Sequence, residues 1–196
     1  MAHIVRQFLS LSFAVNALTC IVILFGMATF LLLSVDIAKD RGVPPSTAVF
    51  LTTAFAIGDL VLRAVCGLVI DAGFLSLESM MFLGALLQAI AFELFVWLRT
   101  FPLMLVSAAL IGASNGSRIS LQAPALVKDF GIESLPLLIG GVYFVNGLAL
   151  LSRPSLVGYC RDSLGSYDML LHLVAISSAV LFVAWLVKYF IRSREQ

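Results

Sequence analysis

Two charged residues, Asp59 and Arg63, lie inside a hydrophobic stretch that is long enough to cross a lipid bilayer. Their i, i+4 spacing places both side chains on one face of a helix, about 6 Å apart along its axis. A guanidinium in a low-dielectric cavity can bind a carboxylate through two hydrogen bonds, and a neighbouring aspartate can take up and release a proton. The pair therefore predicts an anion site and a proton site on one helical face.

Charges inside a membrane are costly, roughly 2.5–3.5 kcal/mol each at a helix centre on insertion scales. A chain that keeps two of them close together is expected to use them, so we interpret Asp59 and Arg63 as functional residues. The alternative is an ion pair that neutralises itself and only packs one helix against another.

Other polar residues are expected at similar depth. Arg118 lies deep enough to share a cavity with the Asp59/Arg63 pair, to snorkel towards the inner boundary, or to pair with Asp59. Asn146, near the middle of its span, is predicted either to form an interhelical hydrogen bond or to line the pathway. Glu93 lies too near the outer boundary to reach Arg118, and we expect a structural or interfacial role for it.

The stretch GASNGSR, residues 112–118, interrupts its hydrophobic segment with small and polar residues. Such an interruption either lets two helix backbones approach closely or unwinds locally to line a cavity, and close packing is the commoner outcome.

The composition identifies the elements that must hold these residues. Hydrophobic residues make up 61% of the chain and charged residues 12%, with a mean hydropathy of +1.09, which excludes an ordinary soluble domain. The apolar runs lack the strict alternation of a transmembrane barrel strand, so the spans are expected to be helices. We therefore predict an all-α, multi-pass integral membrane protein.

Apolar windows of about 20 residues predict six antiparallel transmembrane helices in a single domain, residues 1–196. The predicted spans are 8–35, 47–70, 79–98, 103–126, 135–158 and 169–191. The first span is too long for a signal-peptide core and no cleavage pattern follows it, so we expect no cleavable targeting segment. Six spans suit half of a two-lobed transporter, or a small channel or carrier that assembles as an oligomer.

Several functions are disfavoured by the sequence. The odd number of cysteines, Cys20, Cys66 and Cys160, argues against a disulfide framework. A net charge of +1 without a basic cluster argues against nucleic acid as a partner. Known catalytic, phosphate-binding and metal-binding motifs are missing, so we expect neither an enzyme nor a bound cofactor or metal. His172 is expected to be a packing or interfacial histidine.

Two stretches resemble the monocarboxylate transporter family of the major facilitator superfamily. FAIGDLVLRAVCGLVIDAG, residues 55–73, is similar to that family's eighth helix and the loop after it. RPSLVGYCRDSLGSYD, residues 153–168, is similar to the junction between its eleventh and twelfth helices. The resemblance covers nearly the whole chain as the C-terminal six-helix half, one lobe of such a transporter. The chain departs from the pattern at Arg63-Ala64, where many members have Arg-Pro.

The resemblance implies that Arg63 binds the substrate carboxylate, that Asp59 takes part in proton coupling, and that both termini are cytoplasmic. The leading hypothesis is proton-coupled transport of small monocarboxylates across the plasma membrane, with Arg118 and Asn146 as further pathway residues. Expected partners are the substrate, the proton, membrane lipid, and either an N-terminal lobe or a second carrier subunit. The alternatives are a non-transporting subunit that associates with or regulates a full-length carrier, and a homo-oligomeric channel.

Overall fold

The computed structural model describes residues 6–194, and within that range the chain forms helices joined by short turns. The six long helices are α1 (Leu11–Asp40), α2 (Pro45–Asp71), α3 (Leu77–Trp97), α4 (Phe101–Ile119), α6 (Leu135–Leu150) and α8 (Asp168–Ser193). Two short helices are α5 (Gln122–Phe130) and α7 (Arg153–Tyr159). A 3-10 turn, Ile132–Ser134, precedes α6, and a π-helical turn, Cys160–Leu164, follows α7. The predicted all-α class is confirmed.

Local sequence signals explain several helix ends. The Ser10 hydroxyl accepts a hydrogen bond from the backbone N–H of Phe13 and so caps α1, and Ser76 caps α3 in the same way. Proline stands in the first turn of α2 and of α4, where the missing N–H costs no helical bond. These signals place the turns of the bundle outside the long apolar segments.

Five segments are long and apolar enough to cross a membrane: Leu11–Asp40, Pro45–Asp71, Leu77–Trp97, Ile132–Leu164 and Asp168–Arg192. α1 begins three residues after the predicted start of the first span, 8–35, and runs five residues past its predicted end, to Asp40. The remaining expected span, 103–126, begins with α4, which is helical and is buried along its second half but carries the polar GASNGSR stretch. Six transmembrane passages therefore stay a prediction.

The predicted span 103–126 is wrong as a continuous helix. Helical bonding ends at Ile119 and resumes at Gln122, with a turn at Ser120–Leu121. Pro124 accounts for the break, because it has no N–H to donate and its ring would clash with the carbonyl of Ser120, four residues earlier.

The predicted span 135–158 is also interrupted. α6 ends at Leu150, and Pro154 lies four residues further on, so the same loss of a donor and the same clash break the helix there. The helical path then continues through α7 and the π-helical turn, and it stops at Gly165, whose φ of +68° is accessible mainly to glycine.

α4 lies between α2 and α3, α3 also packs against α8, and α1 contacts α2, α6 and α8. Aromatic side chains fill the junction of the first three helices. The Phe30 ring stacks on Phe55 with centroids 5.4 Å apart, and it meets Phe95 edge-on at 5.3 Å. This packing joins α1, α2 and α3, while α2 and α4 pack side by side along the interface that holds the charged pair.

Charged residues collect at the two ends of the bundle. At one end, called here the terminal end, ion pairs join the start of α3, helix α5 and the end of α8; the residues are Glu78, Lys128, Asp129, Lys188 and Arg192. The opposite end carries Asp40, Arg41, Arg99, Arg161 and Asp168. Charges at both ends and an apolar middle are the distribution that a membrane-spanning bundle requires.

Candidate functional site

The predicted ion pair is present in the middle of α2. The Arg63 Nη2 donates to Asp59 Oδ2 at 2.7 Å, and the Nε of the same arginine donates to that oxygen at 3.2 Å. Asp59 lies one residue past the centre of the 27-residue helix, about 21 Å from its start at 1.5 Å per residue. The charged pair is therefore at membrane depth if α2 spans the bilayer.

Three glycines bring the backbones of α2 and α4 into direct contact at this level. A Cβ atom added at Gly58 would lie 2.0 Å from the Ala109 carbonyl oxygen, and one at Gly112 would lie 1.9 Å from that of Phe55. A Cβ at Gly116 would lie 2.1 Å from the Asp59 carbonyl oxygen. Only glycine fits at these positions. The GASNGSR stretch therefore packs closely as a helix, which confirms the commoner of the two predicted outcomes.

The close approach lets Asn115 of α4 reach the ion pair. Its Nδ2 donates to Asp59 Oδ1 at 2.6 Å, so each oxygen of the carboxylate has a donor. Asn115 Oδ1 is buried and has no hydrogen-bond partner in the described part of the chain. Sequence reasoning missed this residue, although it stands between two glycines of a small-x-x-x-small pattern, Gly112 and Gly116, on a polar helix. That pattern was the available signal.

The two members of the pair differ in exposure. The Arg63 side chain is 46% exposed and that of Asp59 is 17% exposed. Ala56, Leu60 and Arg63 are spaced by four and three residues, and all three are exposed, so they share one face of α2 that the described helices leave uncovered. Asp59 is held at the α2–α4 interface, while the guanidinium extends onto the open face.

Arg118 lies apart from the pair. Its side chain is fully buried, Nη2 donates to Gln88 Oε1, and Nε donates to the Ser114 carbonyl at 3.1 Å. Gln88 Oε1 also accepts from Ser178 Oγ at 3.1 Å, which joins α3, α4 and α8. A Cβ added at Gly84 would lie 2.7 Å from the Arg118 Cγ, so glycine makes room for the arginine stem. Among residues 6–194 Arg118 makes no hydrogen bond to Asp59, and a cavity shared with the pair stays a prediction.

Asn146 also lies away from the pair, on α6, which packs against α1 and α5. The residue is 5% exposed, and its Oδ1 is buried without a hydrogen-bond partner among residues 6–194. The interhelical hydrogen bond predicted as its simplest role is therefore not seen for this oxygen. The pathway role stays a prediction.

Glu93 and His172 form a separate polar pair. Glu93 Oε1 lies 2.7 Å from His172 Nδ1, and Trp97 Nε1 donates to Glu93 Oε2 at 3.1 Å. Glu93 does not contact Arg118, so the prediction that Glu93 cannot reach Arg118 is confirmed. The three cysteines are buried and free, as expected from their odd number.

Comparison with known proteins places these features in a family. The family model described as Major Facilitator Superfamily matches residues 15–196. Monocarboxylate transporter 3 of Mus musculus is 27% identical over 171 residues, which cover 86% of this chain and 35% of that protein. The Rattus norvegicus protein of the same name is 27% identical over 176 residues, covering 86% of this chain and 36% of its own length.

Monocarboxylate transporter 12 of Mus musculus is 27% identical over 157 residues, which cover 79% of this chain and 32% of that protein. The chain thus spans about a third of the length of the curated relatives it matches. No solved structure matches. The resemblance to monocarboxylate transporters inferred from residues 55–73 and 153–168 is confirmed by these relatives.

Proposed function

The chain belongs to the Major Facilitator Superfamily, and we propose that it forms the C-terminal lobe of a proton-coupled carrier of small monocarboxylates. The observation that carries the proposal is the Asp59/Arg63 pair, placed at the centre of α2 with its guanidinium on an uncovered helix face. Family membership supports a multi-pass transporter, and the names of the relatives support monocarboxylates as the substrate class.

The geometry of the pair supports coupling between a carboxylate and a proton. Arg63 directs both Nε and Nη2 to Asp59 Oδ2, so two of its five N–H donors are used while the aspartate is ionised. Protonation of Asp59 removes the negative charge that holds the guanidinium, and the donors of Arg63 become free for a substrate carboxylate. One proton and one monocarboxylate add no net charge to the site. The free-energy cost of moving a proton and a carboxylate together through a low-dielectric region is far lower than that of moving the anion alone.

The open face of α2 supports a second lobe. A half-exposed Arg63 inside a membrane helix would be costly against lipid, and such residues face a bundle interior or a water-filled cavity. The relatives are about three times as long as the matched segment, which is enough chain for another set of helices. We therefore propose that an N-terminal lobe covers this face and encloses an aqueous route beside Arg63.

The proposed topology places both termini in the cytoplasm and the carrier in the plasma membrane. The terminal end, with its paired Lys128, Lys188 and Arg192, would then face the cytoplasm. Asp59 and Arg63 form the core of the proposed site with Asn115 as a positioning residue. Arg118 and Asn146 keep only a proposed second-rank role, because neither contacts the pair.

The anion site is tested by uptake of radiolabelled lactate into proteoliposomes that hold the complete carrier under an inward proton gradient. Arg63→Gln is expected to lower uptake by at least tenfold, because a charge-assisted hydrogen bond contributes about 1.5–3 kcal/mol and about 1.4 kcal/mol equals a factor of ten. Arg194→Gln, which removes the same charge from an exposed position at the terminal end, is the matched control. Equal uptake by the two variants would refute the role of Arg63.

The proton site is tested in the same vesicles by changing the gradient. Asp59→Asn keeps the size of the side chain and an acceptor for Arg63, but it cannot exchange a proton. We expect this variant to exchange lactate for lactate across the membrane while net uptake no longer responds to the proton gradient. Unchanged dependence on the gradient would remove Asp59 from the coupling mechanism.

A second candidate function is a non-transporting subunit that associates with a full-length carrier. Its support is the uncovered face of α2, which would then bind another protein, together with the match to only a third of each relative. Reconstitution of the purified 196-residue chain separates the two functions. Stable co-purification of the chain with a full-length carrier favours the subunit role, whereas lactate flux that appears only when an N-terminal lobe is reconstituted with the chain favours the lobe.

A further inference from the structure

A polar cavity of about 430 Å³ lies at the opposite end of the bundle from the start of α1 and the end of α8. Its walls come from the turn after α1, the turn after α3, and the segment between α7 and α8. The lining residues are Ile37, Asp40, Arg41, Arg99, Arg161, Gly165, Ser166, Tyr167 and Asp168. A cavity of this size is within the range of small-molecule sites. α2 begins at this end of the bundle, and Arg63 lies about 27 Å further along that helix. The cavity is therefore separate from the Asp59/Arg63 pair.

The lining carries an excess of positive charge. Three arginines face two aspartates, which leaves one uncompensated cation. Arg161 is neutralised within the cavity, because its Nη1 donates to Asp40 Oδ2 at 2.5 Å. The excess must therefore be found on Arg41 or Arg99, which share Asp168 as their nearest carboxylate.

Arg41 forms a fixed positive wall. Its Nη1 donates to the Phe95 carbonyl at 2.7 Å and its Nη2 to the Val96 carbonyl at 3.2 Å, so it closes the C-terminal end of α3. The side chain is 9% exposed and lies 3.8 Å from Asp168 Oδ1, too far for a hydrogen bond. Its charge contributes to the cavity while its donors are used elsewhere.

Arg99 is the residue with free donors. Its side chain is 71% exposed, and its nearest carboxylate oxygen, Asp168 Oδ2, is 3.9 Å away. That distance is too long for a hydrogen bond, and the guanidinium has no other hydrogen bond within the described range. A planar fork of five donors in a polar cavity suits an oxyanion with two oxygens.

The segment between α7 and α8 adds further polar groups. The π-helical turn Cys160–Leu164 and the left-handed Gly165 place Ser166 and Tyr167 in the cavity wall beside Arg161. The Arg161 guanidinium lies over the Tyr167 ring, 5.4 Å from its centroid. π-helical turns are rare and frequently occur at functional sites.

We propose that this cavity is a second oxyanion site, which binds a small carboxylate or a phosphate-type group through the free donors of Arg99 in the field of Arg41. The site does not depend on the proposed transport activity. If the chain is a carrier lobe, the site lies at the mouth of the bundle remote from the cytoplasmic end. A positive site there would raise the local concentration of anions.

The test measures equilibrium binding of radiolabelled lactate to the full chain in phosphatidylcholine nanodiscs. All variants carry Arg63→Gln, so that binding at the central pair makes no contribution. In this background we expect saturable binding of lactate that unlabelled lactate displaces and that the neutral lactamide does not. Adding Arg99→Gln is expected to weaken binding about tenfold, the loss of one charge-assisted hydrogen bond.

Lys39→Gln is the matched control, because it removes a positive charge from an exposed residue at the same end of the bundle that does not line the cavity. Equal weakening by Lys39→Gln and Arg99→Gln would show general attraction of anions and would overturn the site. The lipid arm uses nanodiscs that also contain phosphatidylglycerol: absence of lactate binding with Arg99-dependent retention of phosphatidylglycerol would assign the site to a lipid phosphate. Absence of both lactate binding and lipid retention would overturn the proposed second site. It would leave the proposed role of Arg63 untouched, because that role is tested separately by uptake.

Discussion

Replacing Gly116 with alanine is expected to force α2 and α4 apart at the level of Asp59. The new Cβ would lie 2.1 Å from the Asp59 carbonyl oxygen, whereas ordinary contact begins at 3.4 Å. The difference is 1.3 Å, and backbone atoms on both sides leave no flexible side chain to absorb it. A movement of this size along the hydrogen bond would stretch Asn115 Nδ2 to Asp59 Oδ1 from 2.6 Å to about 3.9 Å, beyond hydrogen-bond range.

The energetic cost follows from three terms. Overpacking costs about 1–3 kcal/mol, and loss of a hydrogen bond to a charged group costs about 1.5–3 kcal/mol. Alanine returns up to about 1 kcal/mol through its higher helix propensity. Gly116→Ala is therefore expected to lower the free energy of unfolding by about 1.5–6 kcal/mol.

The free energy of unfolding is measured in mixed micelles by titration with a denaturing detergent and far-ultraviolet circular dichroism. Gly140→Ala is the matched control, because a Cβ at this position of α6 meets no atom within 4 Å. It is expected to be neutral or stabilising by up to about 1 kcal/mol. Part of the Gly116→Ala penalty should also disappear in an Asn115→Ala background, since the hydrogen bond is already lost there. If Gly116→Ala and Gly140→Ala unfold alike, the close approach of the helices is refuted.

Three further predictions use the same unfolding assay. Glu78→Gln should lower the free energy of unfolding by about 1–2 kcal/mol, because a carboxylate that is 4% exposed loses its charge interactions with Lys128 and Arg192, and the effect should be smaller at high salt. The control Asp162→Asn, at an exposed position, should change the free energy of unfolding little. Equal effects of the two variants would refute the ion-pair network. Arg118→Met should raise stability by about 1–3 kcal/mol by removing a buried charge that lacks a carboxylate, and a fall would contradict this. Glu93→Gln should change stability by less than about 1 kcal/mol, because Glu93 and His172 are both more than a third exposed.

Composition and hydrophobic run length were sufficient to predict the helical membrane fold, because each long apolar segment must form its backbone hydrogen bonds internally. Proline positions carried the information on helix breaks, yet windows of about 20 residues average over a single residue. Pro124 and Pro154 interrupt segments that are otherwise apolar enough to read as continuous spans. The breaks were therefore predictable in principle from the sequence and were missed by the window.

The i, i+4 pair was predictable because it is local to one helix. Its third member was not, because the contact from Asn115 depends on how α4 rotates and slides against α2, and the glycine contacts decide both. Depth along the helix was also not enough to choose among the alternatives for Arg118. A rise of 1.5 Å per residue gives the height of a side chain in the membrane, but not the neighbouring helix to which it points.

The environments of the two arginines predict which of them can meet a solute. Arg118 is surrounded by α3, α4 and α8, with Gln88 and Gly84 against its side chain, so a carboxylate could reach it only if those helices separated. Arg63 already has nearly half of its side chain exposed and is held by one aspartate. Protonation of that aspartate frees its donors without moving a helix. Of these two arginines, we therefore expect Arg63 to bind a substrate carboxylate at the lower cost in reorganisation.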